Sequence, residues 1–112
     1  MTKGINYREE FVKLLTLFLI DQKEWSERTF GPIRSDPKHD EILAHILLEV
    51  EEVRANKSDP KEWIDIVLLG FEGALRTVSK PRQVADALNQ KQLINFDREW
   101  LVKVGAPCEH KR

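Results

Sequence analysis

Apolar residues recur at helical spacing along most of the chain. From Tyr7 to Arg28 they follow the i, i+3, i+4, i+7 pattern of one helix face, with Asn6 as a suitable N-cap. Three prolines that follow polar residues then predict three further helix starts. These helices are expected at residues 37–56, 60–78 and 81–102. No segment alternates with a period of two, so the pattern predicts an all-α four-helix bundle, one domain spanning residues 1–112.

The third predicted helix is unusually apolar. Its segment WIDIVLLGF carries apolar residues in nearly every direction, with Asp65 as the acidic exception. A helix that is hydrophobic all round is normally buried. Because this helix is too apolar for the surface of a small monomer, we expect other subunits to cover it. A buried unpaired carboxylate is costly, so Asp65 needs a cation or a basic side chain as partner.

Composition narrows the class of protein. The 112 residues have a formal net charge of −1, which argues against a general nucleic-acid-binding surface. The single cysteine, Cys108, excludes an intrachain disulfide and fits a reducing compartment. The mixed-charge N-terminus predicts no signal peptide, and its longest apolar run is too short to span a bilayer. We therefore expect a soluble cytoplasmic protein, in the host cytoplasm if it is phage-encoded.

Two pairs of acidic residues at helical spacing are the main candidate chemistry. Glu49 and Glu52 lie on the second predicted helix, and Glu62 and Asp65 on the third. Residues three apart share a helix face, so each pair directs two carboxylates the same way. Four clustered carboxylates oppose one another's ionisation, and a hard cation such as Mg²⁺ or Mn²⁺ removes that conflict. The spacing predicts a metal site shared by the two helices.

Simpler interpretations of these residues stay open. Glu49 and Glu52 also fit an ordinary solvated face. Glu62 stands three residues after Asp59, the spacing of a capping box. His45, one turn before Glu49, fits either a residue that supports a metal ligand or a boundary residue of the core.

The fourth predicted helix carries a second polar set. Lys91, Asn95 and Arg98 fall at i, i+4 and i+7 and form one stripe. A compact charge, an amide donor and a planar guanidinium suit the oxygens of a polyphosphate. The alternative is a solvated face on which Asp97 or Glu99 pairs with the basic residues.

Several segments in a fixed order match one family pattern. They are Trp25 with RTFGP, His45, the Glu49/Glu52 and Glu62/Asp65 pairs, EWIDIVLL, the stretch with Gly73, Ala74 and Arg76, the closing Lys91, Asn95, Arg98 and Trp100, and Glu109-His110. Together they resemble the all-α nucleoside triphosphate pyrophosphohydrolases of the MazG-like superfamily. The best match within it is the dATP/dGTP diphosphohydrolase family, which includes phage MazZ-like enzymes. Leu48 departs from the pattern, since it occupies the first acidic position.

The resemblance implies a Mg²⁺-dependent hydrolase, with Mn²⁺ as a substitute, that cleaves the bond between the α and β phosphates. Substrates would be dGTP and dATP, and products dGMP or dAMP and pyrophosphate, which in phages can feed modified-base synthesis. Glu49, Glu52, Glu62 and Asp65 would hold the metal. Glu49 or Glu52 would also accept a proton from the attacking water. A homodimer or homotetramer is implied.

The resemblance also implies where the substrate lies. Lys91, Asn95 and Arg98 would hold the leaving pyrophosphate. Trp25 and Phe30 offer flat surfaces for a purine base, and Gln22 lies one turn back on the same face.

Two other classes of protein remain possible from the residues. One is a non-catalytic helical bundle, binding or regulatory, whose acidic patch meets a basic partner and whose stability does not depend on divalent cations. The other is a ferritin-like di-iron protein, which normally uses Glu-x-x-His pairs that this chain lacks.

Overall fold

The computed structural model describes residues 7–32 and 38–98. In these ranges the chain forms four helices and no strand, which confirms the predicted all-α class. The helices are α1 (Tyr7–Phe30), α2 (His39–Ala55), α3 (Pro60–Val78) and α4 (Pro81–Asp97). None of the helices in these ranges has the length and apolar character needed to cross a membrane.

The first helix runs two residues further than predicted. It ends at Phe30 rather than Arg28 because Gly31 takes up a left-handed conformation, with φ 95°. The Gly31 N–H donates to the Glu27 carbonyl at 3.0 Å, which closes the last turn. Glycine adopts this conformation without steric penalty, so the helix stops where the glycine stands.

The other helix limits agree in part with the prediction. The second helix begins at His39, after Lys38, which has a φ of 62°. The start of α3 is as predicted, since the Asp59 carboxylate accepts from the Lys61 N–H at 3.0 Å and Pro60 occupies the first turn. The predictions for Asn6, for the Asp36-Pro37 cap and for a helix end at Val102 fall outside the described residues.

The four helices are unequally anchored. Helix α1 packs along α4 and also contacts α3, whereas α2 packs on α3 alone within the described residues. The core cluster accordingly comes from three helices: Val12 and Leu19 of α1, Leu75 of α3, and Val84 and Ala85 of α4. This arrangement leaves a cleft between α1 and α2, with α3 as its floor.

Helix α3 is not enclosed in the single chain. Trp63 is 53% exposed and Ile64 50% exposed, and the expected burial of this helix by other subunits stays a prediction. Large apolar side chains are also exposed on the other two helices beside the cleft, including Leu14 of α1 and Leu47 of α2. Hydrophobic periodicity indicates how apolar a helix is and not which surface covers it.

Candidate metal and nucleotide site

The hairpin formed by α2 and α3 brings three of the four predicted metal ligands together. Glu49 of α2 and Glu62 and Asp65 of α3 each offer a carboxylate oxygen, and these oxygens all lie within 4.8 Å of one another. We call these three residues the acidic cluster. Residues 56–59 join the two helices, so the cluster lies close to the turn of the hairpin.

Glu52 lies outside the acidic cluster. It is exposed, one helical turn beyond Glu49 on α2. Its carboxylate is nevertheless near enough to act electrostatically on Glu62. The structure therefore separates a three-carboxylate group from a fourth, neighbouring carboxylate.

The structure also resolves the capping alternative for Glu62. The backbone N–H of Asp59, which a capping box would pair with the Glu62 side chain, donates instead to the Asn56 carbonyl at 3.2 Å. The Glu62 carboxylate is thus left to the acidic cluster. Partial burial raises the pKa of Glu62, and the negative charges of neighbouring carboxylates, Asp65 foremost, raise this pKa further.

A cavity of about 500 Å³ extends from the acidic cluster along α3. Asp65 and Glu49 line it near the cluster, and Glu72 and Arg76 line it about two and three turns further along α3. Its volume lies in the range of small-molecule sites. The cavity is therefore large enough for a nucleotide whose phosphates face the carboxylates.

The three residues predicted to contact a base all line this cavity from α1. They are Gln22, Trp25 and Phe30. The rings of Trp25 and Phe30 meet edge to face, with centroids 5.5 Å apart and planes at 87°. His45 of α2 lines the opposite wall, one turn before Glu49.

A second group of charged residues lies at the far end of the cavity. We call Ser26, Glu72 and Arg76 the buried polar cluster. The Arg76 Nε donates to Glu72 Oε2 at 2.9 Å, and its Nη2 donates to Ser26 Oγ at 2.9 Å and to the Gly31 carbonyl at 3.2 Å. The Ser26 hydroxyl in turn donates to Glu72 Oε2. These bonds tie the end of α1 to α3.

The predicted phosphate-binding stripe does not reach the cavity within one chain. Lys91 and Asn95 are exposed on α4, and no residue of α4 in the described ranges lines the cavity. Helix α4 packs instead against α1 and α3. The assignment of Lys91, Asn95 and Arg98 to phosphate stays a prediction.

Sequence reasoning missed Glu72 and Ser26 as candidate functional residues. A signal was present: Glu72 and Arg76 stand at i, i+4 within an apolar helix, the same kind of anomaly that singled out Asp65. Ser26 carries a weaker signal: it stands seven residues after Leu19, which in turn stands seven residues after Val12, and all three are buried on α1.

The fold and the site together define an all-helical protein with a carboxylate cluster at the edge of a nucleotide-sized cavity. A family model described as dATP/dGTP pyrophosphohydrolase matches residues 19–111. The match covers most of the chain, and the chain belongs to this family of nucleoside triphosphate hydrolases. Comparisons with curated proteins and with solved structures give no significant match.

Proposed function

We propose that this enzyme hydrolyses purine deoxynucleoside triphosphates between the α and β phosphates, releasing dAMP or dGMP and pyrophosphate, and that it requires Mg²⁺. The observation that carries the proposal is the acidic cluster at the edge of the cavity, with its three carboxylate oxygens within 4.8 Å of one another. Membership of the dATP/dGTP pyrophosphohydrolase family supports the substrate class.

The residues of the acidic cluster fit a hard divalent cation. Glu49, Glu62 and Asp65 supply oxygen donors alone, which Mg²⁺ and Mn²⁺ prefer. The raised pKa of Glu62 reflects partial burial and the neighbouring negative charge, which a cation would compensate. When bound, such a cation neutralises phosphate charge and lowers the pKa of coordinated water.

Glu52 is suited to accept the proton of the attacking water. It lies beside the acidic cluster without belonging to it, so its carboxylate is not needed to complete the group of three. A carboxylate within hydrogen-bond reach of a nucleophilic water can act as general base. We propose this role for Glu52 and a metal-holding role for Glu49.

The substrate then lies along α3. Its phosphates face the acidic cluster, and its base lies between the α1 side chains Gln22, Trp25 and Phe30 and the floor of the cavity. Stacking on an aromatic side chain typically contributes about 1–3 kcal/mol per base. Lys91, Asn95 and Arg98 would hold the leaving pyrophosphate from the α4 of another subunit, because α4 does not line the cavity of its own chain.

Product analysis tests the reaction. The protein is incubated with dATP, dGTP, dCTP and dUTP in turn, with Mg²⁺ or with excess EDTA, and the products are separated by ion-exchange chromatography. We expect pyrophosphate and monophosphate from dATP and dGTP in Mg²⁺ alone. Release of single phosphate would contradict the cleavage position. Equal or better turnover of dCTP or dUTP would contradict the purine preference.

We also propose that the chain works as a homodimer or homotetramer. The supporting observation is the exposure of large apolar side chains on α1, α2 and α3, among them Leu14, Leu47 and Trp63. Apolar surface of this extent commonly marks a protein interface. Sedimentation at micromolar concentration should give a multiple of the 13.1 kDa chain mass, and a homogeneous monomer would contradict the proposal.

A further inference from the structure

The buried polar cluster has unused hydrogen-bonding capacity. Within the described part of the chain, Glu72 Oε1 and Arg76 Nη1 have no hydrogen-bond partner, although both atoms are shielded from solvent. Arg76 is 3% exposed and Glu72 7% exposed. A buried polar atom without a partner is costly, so these two atoms are suited to a ligand that satisfies both.

The remaining atoms of the cluster are already engaged. Glu72 Oε2 accepts from Arg76 Nε and from the Ser26 hydroxyl, and Arg76 Nη2 donates to Ser26 and to the Gly31 carbonyl. These bonds fix the orientation of the ion pair. What they leave is one acceptor, Oε1, and one donor group, Nη1, on residues that line the cavity.

We infer that Glu72 and Arg76 recognise the edge of the purine base, an inference that rests on the proposed function. Adenine presents its 6-amino donor beside a ring-nitrogen acceptor, and guanine presents its N1–H donor beside the 6-oxo acceptor. One free acceptor and one free donor, carried by two residues that the Arg76 Nε–Glu72 Oε2 bond holds together, match the donor and acceptor of either edge. The same pair of side chains therefore accepts both dATP and dGTP.

The position of the pair agrees with this role. Asp65 and Glu72 are two turns apart on α3, which at about 1.5 Å per residue is a separation of roughly 10 Å along the helix axis. That span suits a nucleotide whose phosphate lies at the acidic cluster and whose base edge lies at Glu72. Trp25 and Phe30 line the same cavity and offer flat faces to the ring.

Contact with the two unpaired atoms requires a local rearrangement. Both atoms lie beneath the cavity surface, so a side chain that lines the cavity must rotate as the base enters. Trp25 and Phe30 are exposed and have room to do so. Side-chain rotations of this kind are common at binding sites.

The first test changes the ligand and leaves the protein intact. The kcat/KM for dATP is compared with that for the deoxynucleoside triphosphate of unsubstituted purine, which lacks the 6-amino group. We expect the loss of this donor to lower kcat/KM by about 10- to 100-fold, the range for a hydrogen bond to a charged group. Equal values for the two nucleotides would overturn the inference while leaving the pyrophosphohydrolase reaction intact.

The second test exchanges the free acceptor for a donor. In Glu72→Gln the amide oxygen keeps the place that faces Arg76 Nε and Ser26, so the amide nitrogen replaces the unpaired oxygen. The site then offers two donors, which suit the N7 and O6 acceptors of guanine and oppose the adenine amino group. We expect the dATP-to-dGTP ratio of kcat/KM to fall by about 10-fold or more. An unchanged ratio would overturn the inference, because a merely structural role does not alter base preference.

The control and the independent readout separate this inference from the proposed function. Glu51→Gln removes an exposed glutamate that pairs with Arg54 and should leave the ratio unchanged. Calorimetric binding of dAMP and of the unsubstituted purine monophosphate to the wild-type protein needs no turnover. Tighter binding of dAMP is expected, and equal binding would overturn the inference. A failure of the proposed function would appear instead as absent pyrophosphate release from every triphosphate.

Discussion

The acidic cluster and the buried polar cluster both include residues of α3, yet their charged side chains are arranged in opposite ways. In the buried polar cluster, Glu72 is neutralised by Arg76 and held by Ser26. In the acidic cluster, Glu49, Glu62 and Asp65 bring three carboxylates together, and burial and neighbouring negative charges raise the pKa of Glu62. A buried charge needs an opposite charge within the protein, because no water solvates it. A group of carboxylates that is partly solvated can remain in place without a cation. The first arrangement gives a fixed shape, and the second is suited to hold a cation.

Asp65→Asn tests whether the acidic cluster binds a cation, and it has the largest expected effect. Asparagine keeps the shape of the side chain but lacks the charge, so cation binding should be lost while the fold is retained. We expect kcat/KM to fall by at least about 100-fold, because even losing a group that supports a metal ligand typically costs about 10- to 100-fold.

Pyrophosphate release measures this effect, and circular dichroism checks the helix content. Asp86→Asn is the matched control, since Asp86 forms an exposed pair with Arg82 on α4. Undiminished hydrolysis by Asp65→Asn would show that the acidic cluster is not the metal site.

Lys91→Ala and Arg98→Ala test whether α4 of one subunit contributes to the site of another subunit. We expect each to lower kcat/KM by about 10- to 100-fold, the range for a lost charged hydrogen bond, without weakening cation binding. Lys13→Ala, which removes an exposed lysine on α1, is the control.

Activity measured after mixing two impaired variants gives a sharper test. If the stripe acts across subunits, Lys91→Ala protein mixed with inactive Asp65→Asn protein should recover part of the activity after subunit exchange. Full kcat/KM in either alanine variant would return the stripe to an ordinary solvated face.

Ser26→Ala tests how much Ser26 stabilises the buried polar cluster. The substitution removes a donor to Glu72 and an acceptor for Arg76 at a buried position. We expect the free energy of unfolding to fall by about 1–3 kcal/mol, measured by urea denaturation. Ser58→Ala, at an exposed serine in the α2–α3 turn, should have no comparable effect. Equal stabilities for the two variants would mean that Ser26 does not support the ion pair.

Glu62→Gln gives the smallest expected effect and tests the repulsion between the carboxylates of the acidic cluster. The pKa of Glu62 is raised in the folded chain, so its ionised form destabilises the metal-free protein and protonation relieves this as the pH falls. At neutral pH without metal, Glu62→Gln should therefore melt at a higher temperature than the wild type. The difference should shrink as the pH falls through the raised pKa of Glu62. Glu51→Gln should show no such trend, and a lower melting temperature for Glu62→Gln would contradict the repulsion.

Sequence patterns predicted the parts of this molecule that depend on local spacing. Helix class follows from periodicity, the α3 start follows from Asp59-Pro60, and the shared direction of Glu62 and Asp65 follows from residues three apart on a helix. The exclusion of Glu52 from the cluster does not follow, because it depends on how α2 lies against α3.

The features that the sequence did not predict depend on how the helices pack against one another. Ser26 became a partner of Glu72 only because α1 packs on α3, a contact between residues far apart in sequence. The stripe on α4 has the spacing of a binding surface but lies away from the cavity of its own chain. Periodicity identifies a face of a helix and does not identify its neighbour.

The attachment of α2 to α3 alone has a consequence for the order in which the molecule loosens. Among the described helices, α2 has no close packing with α1 or α4 and contributes nothing to the core cluster. Its amide hydrogens should therefore exchange with solvent through a partial opening, well before those of α1 and α3. Since Glu49 is the contribution of α2 to the acidic cluster, a cation that joins it to α3 would fasten this helix, and exchange protection along α2 would report site occupancy.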